Sequence, residues 1–226
     1  MPLARYKDLC IDAVDADRMQ AFWSAALGLA VERHDGGQEQ LVGAIPQHGV
    51  WICEVPEPRT VKQRVHIDVY ATSVEEVERL GAVRLSPEGE FPWTVLADPE
   101  GGELCVFVRE RVDDYRLYEI GVDAVDPGPI ARWWAEVLGG QAVDEERGLS
   151  YLHEIPGVPF ESLDFARVPE PKAVKNRIHW DVEAADVQPL LDHGATMLRE
   201  HDDEIGWHVL ADPEGNEFCC FVDRPR

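Results

Sequence analysis

The sequence predicts an α+β fold built from four copies of one strand–helix–strand module, arranged as two tandem units. Two observations predict it. The chain repeats itself: PEPRTVKQRVHIDV (Pro56–Val69) returns as PEPKAVKNRIHWDV (Pro169–Val182), and VLADPEGGELCVFV (Val95–Val108) returns as VLADPEGNEFCCFV (Val209–Val222). Each repeat then divides again into a helical stripe followed by short alternating runs. Equivalent residues stand 111 apart at Asp12 and Asp123, 113 apart at His66 and His179, and 114 apart at Asp98 and Asp212. Drift of that size places length changes in loops and leaves the elements intact.

The elements follow in order. Asp15 reads as an N-cap before Met19, Phe22, Trp23, Ala26 and Leu27, a helical stripe closed by Gly28. Asp126 caps, with Pro127 in the first turn, before Ile130, Trp133, Trp134, Val137 and Leu138, closed by Gly139. Strand-like runs follow at Gln40–Ile45 and Val50–Val55, and at Ser150–Ile155 and Ser162–Val168. The second half of each repeat starts on an alternating strand, Arg64–Tyr70 or Arg177–Glu183. A short helix follows, capped by Ser73 in the first repeat and carrying Val187, Leu190 and Leu191 in the second. Asp98-Pro99-Glu100-Gly101 and Asp212-Pro213-Glu214-Gly215 suit tight reversals between strands. The charged stretch Glu110–Arg116 reads as the join, giving units 1–112 and 117–226.

A chain of 226 residues, 45% hydrophobic, can bury a core in two units of ordinary domain size. Its net charge of −23 repels phosphate backbones and anionic lipid heads, which argues against nucleic-acid and membrane partners. No apolar run approaches membrane-spanning length, and no signal-like segment opens the chain. Five cysteines without a CxxC pair or an even framework fit a reducing compartment. The expectation is a soluble, cytoplasmic protein. No nucleophile elbow, P-loop or GxGxxG after a strand is present.

The paired βαβββ order, with PEPK–VKNR–HxD preceding DPEGNEF, resembles the vicinal oxygen chelate superfamily and within it the glyoxalase-like domain group. The resemblance covers essentially the whole chain and implies curled mixed sheets that form cups. It implies less about reaction, because that fold hosts isomerases, oxygenases and non-catalytic binders. Members take metal ligands from the first strand of each module and the last strand of each pair. Carried over, those positions are Asp8, His66 and Cys105 in the first repeat, and Glu119, His179 and Cys219 in the second. Each set is expected to converge within its own repeat, although members of the family exchange strands, so a set can assemble across units.

The set departs from the family's usual histidines and glutamate. Carboxylate, imidazole and thiolate together suit a zinc-like divalent ion. The competing reading is a metal-free polar pocket in which the cysteines are buried small hydrophobes. His66 with Asp68, and His179 with Asp181, face the same way along a strand. Each pair is either a general base or a hydrogen-bonded pair that fixes the strand. Glu103 and Glu217 share a face with the cysteines and either replace the missing glutamate or lie at the rim. Trp93 and Trp207, just before the final hairpins, are candidates for stacking on a planar ligand. His153, in an expected strand, is a further candidate. Arg59, Lys62 and Arg64 recur as Lys172, Lys175 and Arg177, and either clamp an anion or form salt bridges.

Three functions fit: a protein that binds a small aromatic or oxygenated molecule without turning it over, a metal-dependent lyase or isomerase of glyoxalase type, or a metal-free enzyme using His179 or His66 as base. The second repeat is the expected active one, because Glu119 reaches further than Asp8, His179 is followed by Trp180, and Asn216 restores the DPEGN turn that Gly102 breaks in the first repeat. The repeat makes the chain a fused pseudo-dimer, so monomer and homodimer both fit.

Overall fold

The computed structural model describes residues 1–34, 39–87, 89–145 and 148–222, and among these the chain forms four βαβββ modules. Module one holds β1 (Arg5–Ala13), α1 (Ala16–Leu27), β2 (Ala30–Arg33), β3 (Glu39–Val42) and β4 (Val50–Glu54). Module two holds β5 (Val65–Ala71), α2 (Val74–Glu78), β6 (Val83–Arg84), β7 (Thr94–Ala97) and β8 (Glu103–Val108). Module three holds β9 (Leu117–Ala124), α3 (Pro127–Leu138), β10 (Gln141–Glu145), β11 (Leu149–His153) and β12 (Ser162–Arg167). Module four holds β13 (Ile178–Ala184), α4 (Gln188–Asp192), β14 (Thr196–Arg199), β15 (His208–Ala211) and β16 (Glu217–Val222). The stretch 109–116 carries no strand or helix. Among the described residues, no helix is long and apolar enough to cross a membrane.

The caps and stripes explain the long helices. The Asp15 carboxylate accepts the Arg18 amide at 3.1 Å, and Gly28 closes α1 at φ +69°. A Cβ at Gly28 would strike the Asp114 carbonyl, so the turn needs glycine. In α3 the expected Asp126 side-chain cap is absent: that carboxylate binds Arg167 at 3.1 Å, and Pro127 opens the helix instead. Trp134 of α3 packs edge-to-face on Trp180 and Phe218, and its indole donates to Asp212 at 3.2 Å.

The modules pair across the repeats. One sheet runs β14-β15-β16-β13-β1-β4-β3-β2 and the other β10-β11-β12-β9-β5-β8-β7-β6. Sheet one, containing β1, therefore joins modules one and four; sheet two, containing β9, joins modules three and two. Each sheet is thus built by both repeats, and neither repeat forms a sheet by itself. The seams are antiparallel: β1 lies on β13 with Cys10 opposite His179, and β5 lies on β9 with Asp68 opposite Glu119. Strand alternation sends Leu9, Ile11, Ile67, Ile120, Trp180 and Phe218 into one continuous core. The intervening residues face the concave sides.

Two devices tie the sheets together. Glu100, in the turn between β7 and β8 of sheet two, accepts the Val14 and Asp15 amides at 2.7 Å and pairs with Arg177 at 3.2 Å. Glu214, in the matching turn of sheet one, accepts the Val125 and Asp126 amides at 2.7 Å. The crossing segments also clasp one another, Arg64 donating to the Glu170 carbonyl at 2.7 Å and Arg177 to the Glu57 carbonyl at 2.6 Å.

Candidate functional site

The concave face of sheet two holds a cavity of about 630 Å³. Its floor comes from the centre of the sheet: His66 and Asp68 on β5, Cys105 on β8, Glu119 on β9, and Ser162 and Asp164 on β12. Each of these residues alternates with a core residue, so the pleat that buries Ile67, Leu104, Ile120 and Leu163 presents the polar set together. Trp93, Phe107, Tyr118 and Tyr151 also line the cavity, and Trp93 stacks on Phe107 at 5.5 Å between ring centres.

His66 Nε2 lies 3.3 Å from Asp68 Oδ1, which also accepts the Cys105 amide at 3.1 Å. The donor atoms of His66, Asp68 and Cys105 lie within 4.8 Å of one another. Ser162 donates to Asp164 at 2.6 Å and approaches Glu119 at 3.3 Å. The imidazole lies across Gly121, where a Cβ would stand 2.2 Å from the ring.

Among the described residues, Asp68, Glu119 and Asp164 have no lysine or arginine partner. Burial pushes all three carboxyl groups up, and repulsion from neighbouring acids adds to it for two of them, taking Glu119 to about 9 and Asp164 to about 6. Glu119 therefore holds its proton at neutral pH. A bound cation would take the place of that proton. His66, Asp68 and Cys105 form a candidate metal-binding group.

Sheet one carries the related row His179, Asp181, Cys219 and Asp8, with different surroundings. Asp8 binds the Lys7 ammonium at 2.5 Å and the Trp51 indole at 3.1 Å. By register Trp51 stands where sheet two has Asp164, since Cys10 pairs with Trp51 and Gly121 with Asp164. A large indole thus covers the acid in sheet one, whereas a short carboxylate leaves room in sheet two. The His179 side chain is 9% exposed against 21% for His66. Burial holds the His179 imidazole down at about 4, so it is neutral at physiological pH. Its Nε2 lies 3.5 Å from Asp181 and 3.4 Å from Cys219.

The ligand sets are therefore exchanged relative to the sequence expectation. Glu119 joins His66 and Cys105, and Asp8 joins His179 and Cys219, because β1 pairs with β13 and β9 with β5. Glu119 and His179, both grounds for favouring the second repeat, lie in different cups. Glu217 is held by Lys172 at 2.6 Å and the Asn176 amide at 3.1 Å, and Glu103 lies 3.9 Å from Lys62; neither joins the histidine groups. Trp93 lines the open cup, while Trp207 stacks on Phe221. His153 also lines the cavity.

Lys62, Arg64, Lys172, Lys175 and Arg177 form ion pairs, and Arg59 donates to the Val61 carbonyl. Lys62 binds Asp123 at 2.7 Å and Lys175 binds Asp12 at 2.6 Å, and Arg59, Arg64 and Arg177 line with them a separate cavity of about 660 Å³ between the crossing segments. The sequence reading missed Ser162, Asp164 and Gly121. Period-2 alternation in Ser162–Val168 would have placed the first two on the cup face.

A family profile described as "Glyoxalase-like domain" matches residues 8–107 and 119–221. Among solved structures, glyoxalase I from Zea mays aligns over 97% of this chain and 92% of its own, at 13% identity and a TM-score of 0.68. A cppA protein from Streptococcus pneumoniae aligns over 97% and 100%, at 10% identity and a TM-score of 0.52. Likeness at such identities speaks for the fold. No functionally curated protein matches the sequence.

Proposed function

We propose that this chain, which belongs to the glyoxalase-like domain family of the vicinal oxygen chelate superfamily, binds a small oxygenated aromatic molecule in the cup of sheet two. The observation that carries this reading is the joint lining of one cavity by aromatic rings and by the His66, Asp68 and Glu119 groups. Flat apolar surface beside a few convergent polar groups is the usual form of a small-molecule site. Trp93 and Tyr151 would flank a ring. A protonated Glu119 would donate to a ligand oxygen, and the His66 imidazole, oriented by Asp68, would accept or return a proton on the ligand.

A second reading is favoured by the closeness of three donor atoms. His66, Asp68 and Cys105, with Glu119 beside them, would hold a zinc-like ion. Such an ion would polarise adjacent ligand oxygens and support lyase or isomerase chemistry of glyoxalase type. Under either reading His66 is central and His179 is not.

The test is a thermal-shift and calorimetric screen of aromatic carbonyl and diol compounds, with elemental analysis of protein purified without added metal. H66A and W93A should lose binding of any hit, while H179A, if shown to be folded, should keep it. A hit whose affinity ignores H66A, or that fails with H179A alone, would move the site to sheet one. Stoichiometric metal that disappears in H66A would decide for the metal-dependent reading.

A further inference from the structure

Sheet one lacks the open acidic cup of sheet two, yet its concave face carries two thiols that sheet two does not have. Cys10 on β1 and Cys53 on β4 bring their sulfurs to 3.2 Å. At the matching positions of sheet two stand Gly121 and Ala166, since Asp12 pairs with Cys53 and Asp123 with Ala166. A third thiol, Cys219 on β16, lies 3.4 Å from His179 Nε2, and His179 stands directly across the seam from Cys10. The adjacent strands β16, β13, β1 and β4 thus present sulfur, imidazole, sulfur and sulfur on one face, at staggered positions.

We propose that Cys10 and Cys53 form a two-coordinate binding site for a soft, thiophilic d10 ion such as copper(I). The site is distinct from the oxygen-rich set of sheet two and goes beyond the ligand reading made for that cup. Thiolates select soft ions where carboxylates select hard ones. Two thiol protons leave to solvent as the ion binds, giving a bis-thiolate complex with no change in oxidation state.

The register favours an ion over a disulfide. Cys10 pairs with Trp51, so Cys53 stands two positions further along the neighbouring strand. At about 3.3 Å per residue and about 4.8 Å between strands, the two backbones are about 8 Å apart. A disulfide needs Cα atoms about 4.4–6.8 Å apart, so this pair cannot close without moving the backbone. Bonds of about 2.3 Å to one shared ion leave two sulfurs up to about 4.6 Å apart, which side-chain rotation supplies.

The experiment titrates the reduced full chain with copper(I) under anaerobic conditions, against a coloured copper(I) chelator, while the ultraviolet thiolate-to-metal band is followed. One ion per chain is expected. C10S and C53A should each weaken binding beyond the about 10–100-fold typical of losing an outer-shell partner, and C220A, on the core side of β16, should leave it unchanged. C53A is the conservative variant, because the matching position of sheet two already carries Ala166, so it keeps the test decisive if C10S does not fold. Undiminished binding by C53A would overturn the proposal, as would equal loss in a folded C220A protein. A Cys10–Cys53 disulfide formed under mild oxidation would overturn the register argument and with it the ion site.

Discussion

At the scale of single residues, one difference between the repeats separates the two cups. Gly121 and Cys10 are equivalent positions, and each faces a histidine across the central seam. Glycine lets the His66 ring lie flat over the strand, whereas Cys10 faces His179 with a side chain of its own. At Trp51 and Asp164 the same logic repeats, an indole on one side and a short acid on the other. G121A should therefore push the His66 imidazole out of the cup, because its Cβ would sit 2.2 Å from the ring. The expected outcome is loss of ligand binding with a stability cost of about 1–3 kcal/mol, measured by calorimetric binding and by urea unfolding. Unchanged binding in a folded G121A protein would mean that His66 does not need its observed place.

At the scale of elements, local signals in the sequence were legible and the partner of each module was not. The stripes Met19–Leu27 and Ile130–Leu138 appear as buried helix faces, and the HxD runs appear as strands β5 and β13. The seam was hidden because both choices use the same chemistry: Lys62 could meet Asp12 or Asp123, and Glu100 could reach the corner after β1 or the one after β9. Residues that match between the repeats carry no information about which copy they touch. The α2 terminus, by contrast, is set locally. Ser73 accepts the Glu76 amide at 3.2 Å, and the Glu76 carboxylate accepts from the Thr72 amide at 3.0 Å and its hydroxyl at 2.7 Å, with Arg116 at 2.5 Å. These bonds, Thr72 first and Arg116 second, hold the Glu76 carboxyl down at about 2 from an ordinary 4.5. A carboxyl group depressed on folding stabilises the protein above its unfolded value. That contribution is lost as pH falls from about 4.5 towards about 2. E76Q should cost up to about 1 kcal/mol at pH 7 and close to nothing at pH 2, read from denaturant midpoints at both pH values. An equal cost at both would show that the charge is not what matters.

At the scale of the whole molecule, the exchange of modules makes each repeat dependent on the other. Sheet one needs β13 against β1, and sheet two needs β9 against β5, so neither seam exists within residues 1–112 or 117–226 alone. A lone first repeat would expose the seam edges of β1 and β5, each an unpaired row of backbone donors and acceptors in the centre of what should be a sheet. Two copies can satisfy both edges, because β5 of a second copy offers β1 nearly the same pattern that β13 does: His66 for His179, Asp68 for Asp181 and Lys62 for Lys175. We therefore propose 1–112 and 117–226 as units that fold only in pairs. Residues 1–112 expressed alone should be unfolded at low concentration and should sediment as a homodimer with native-like circular dichroism at high concentration. Mixed with 117–226, the same fragment should prefer the heterodimer. That pairing alone keeps the acid of β9 beside the histidine of β5, and so restores the cup that holds His66 and Glu119. A fragment that sediments as a stable folded monomer would mean that a module can pair within its own repeat, and that the seam is a choice made by the linker at 109–116 and not by the strands.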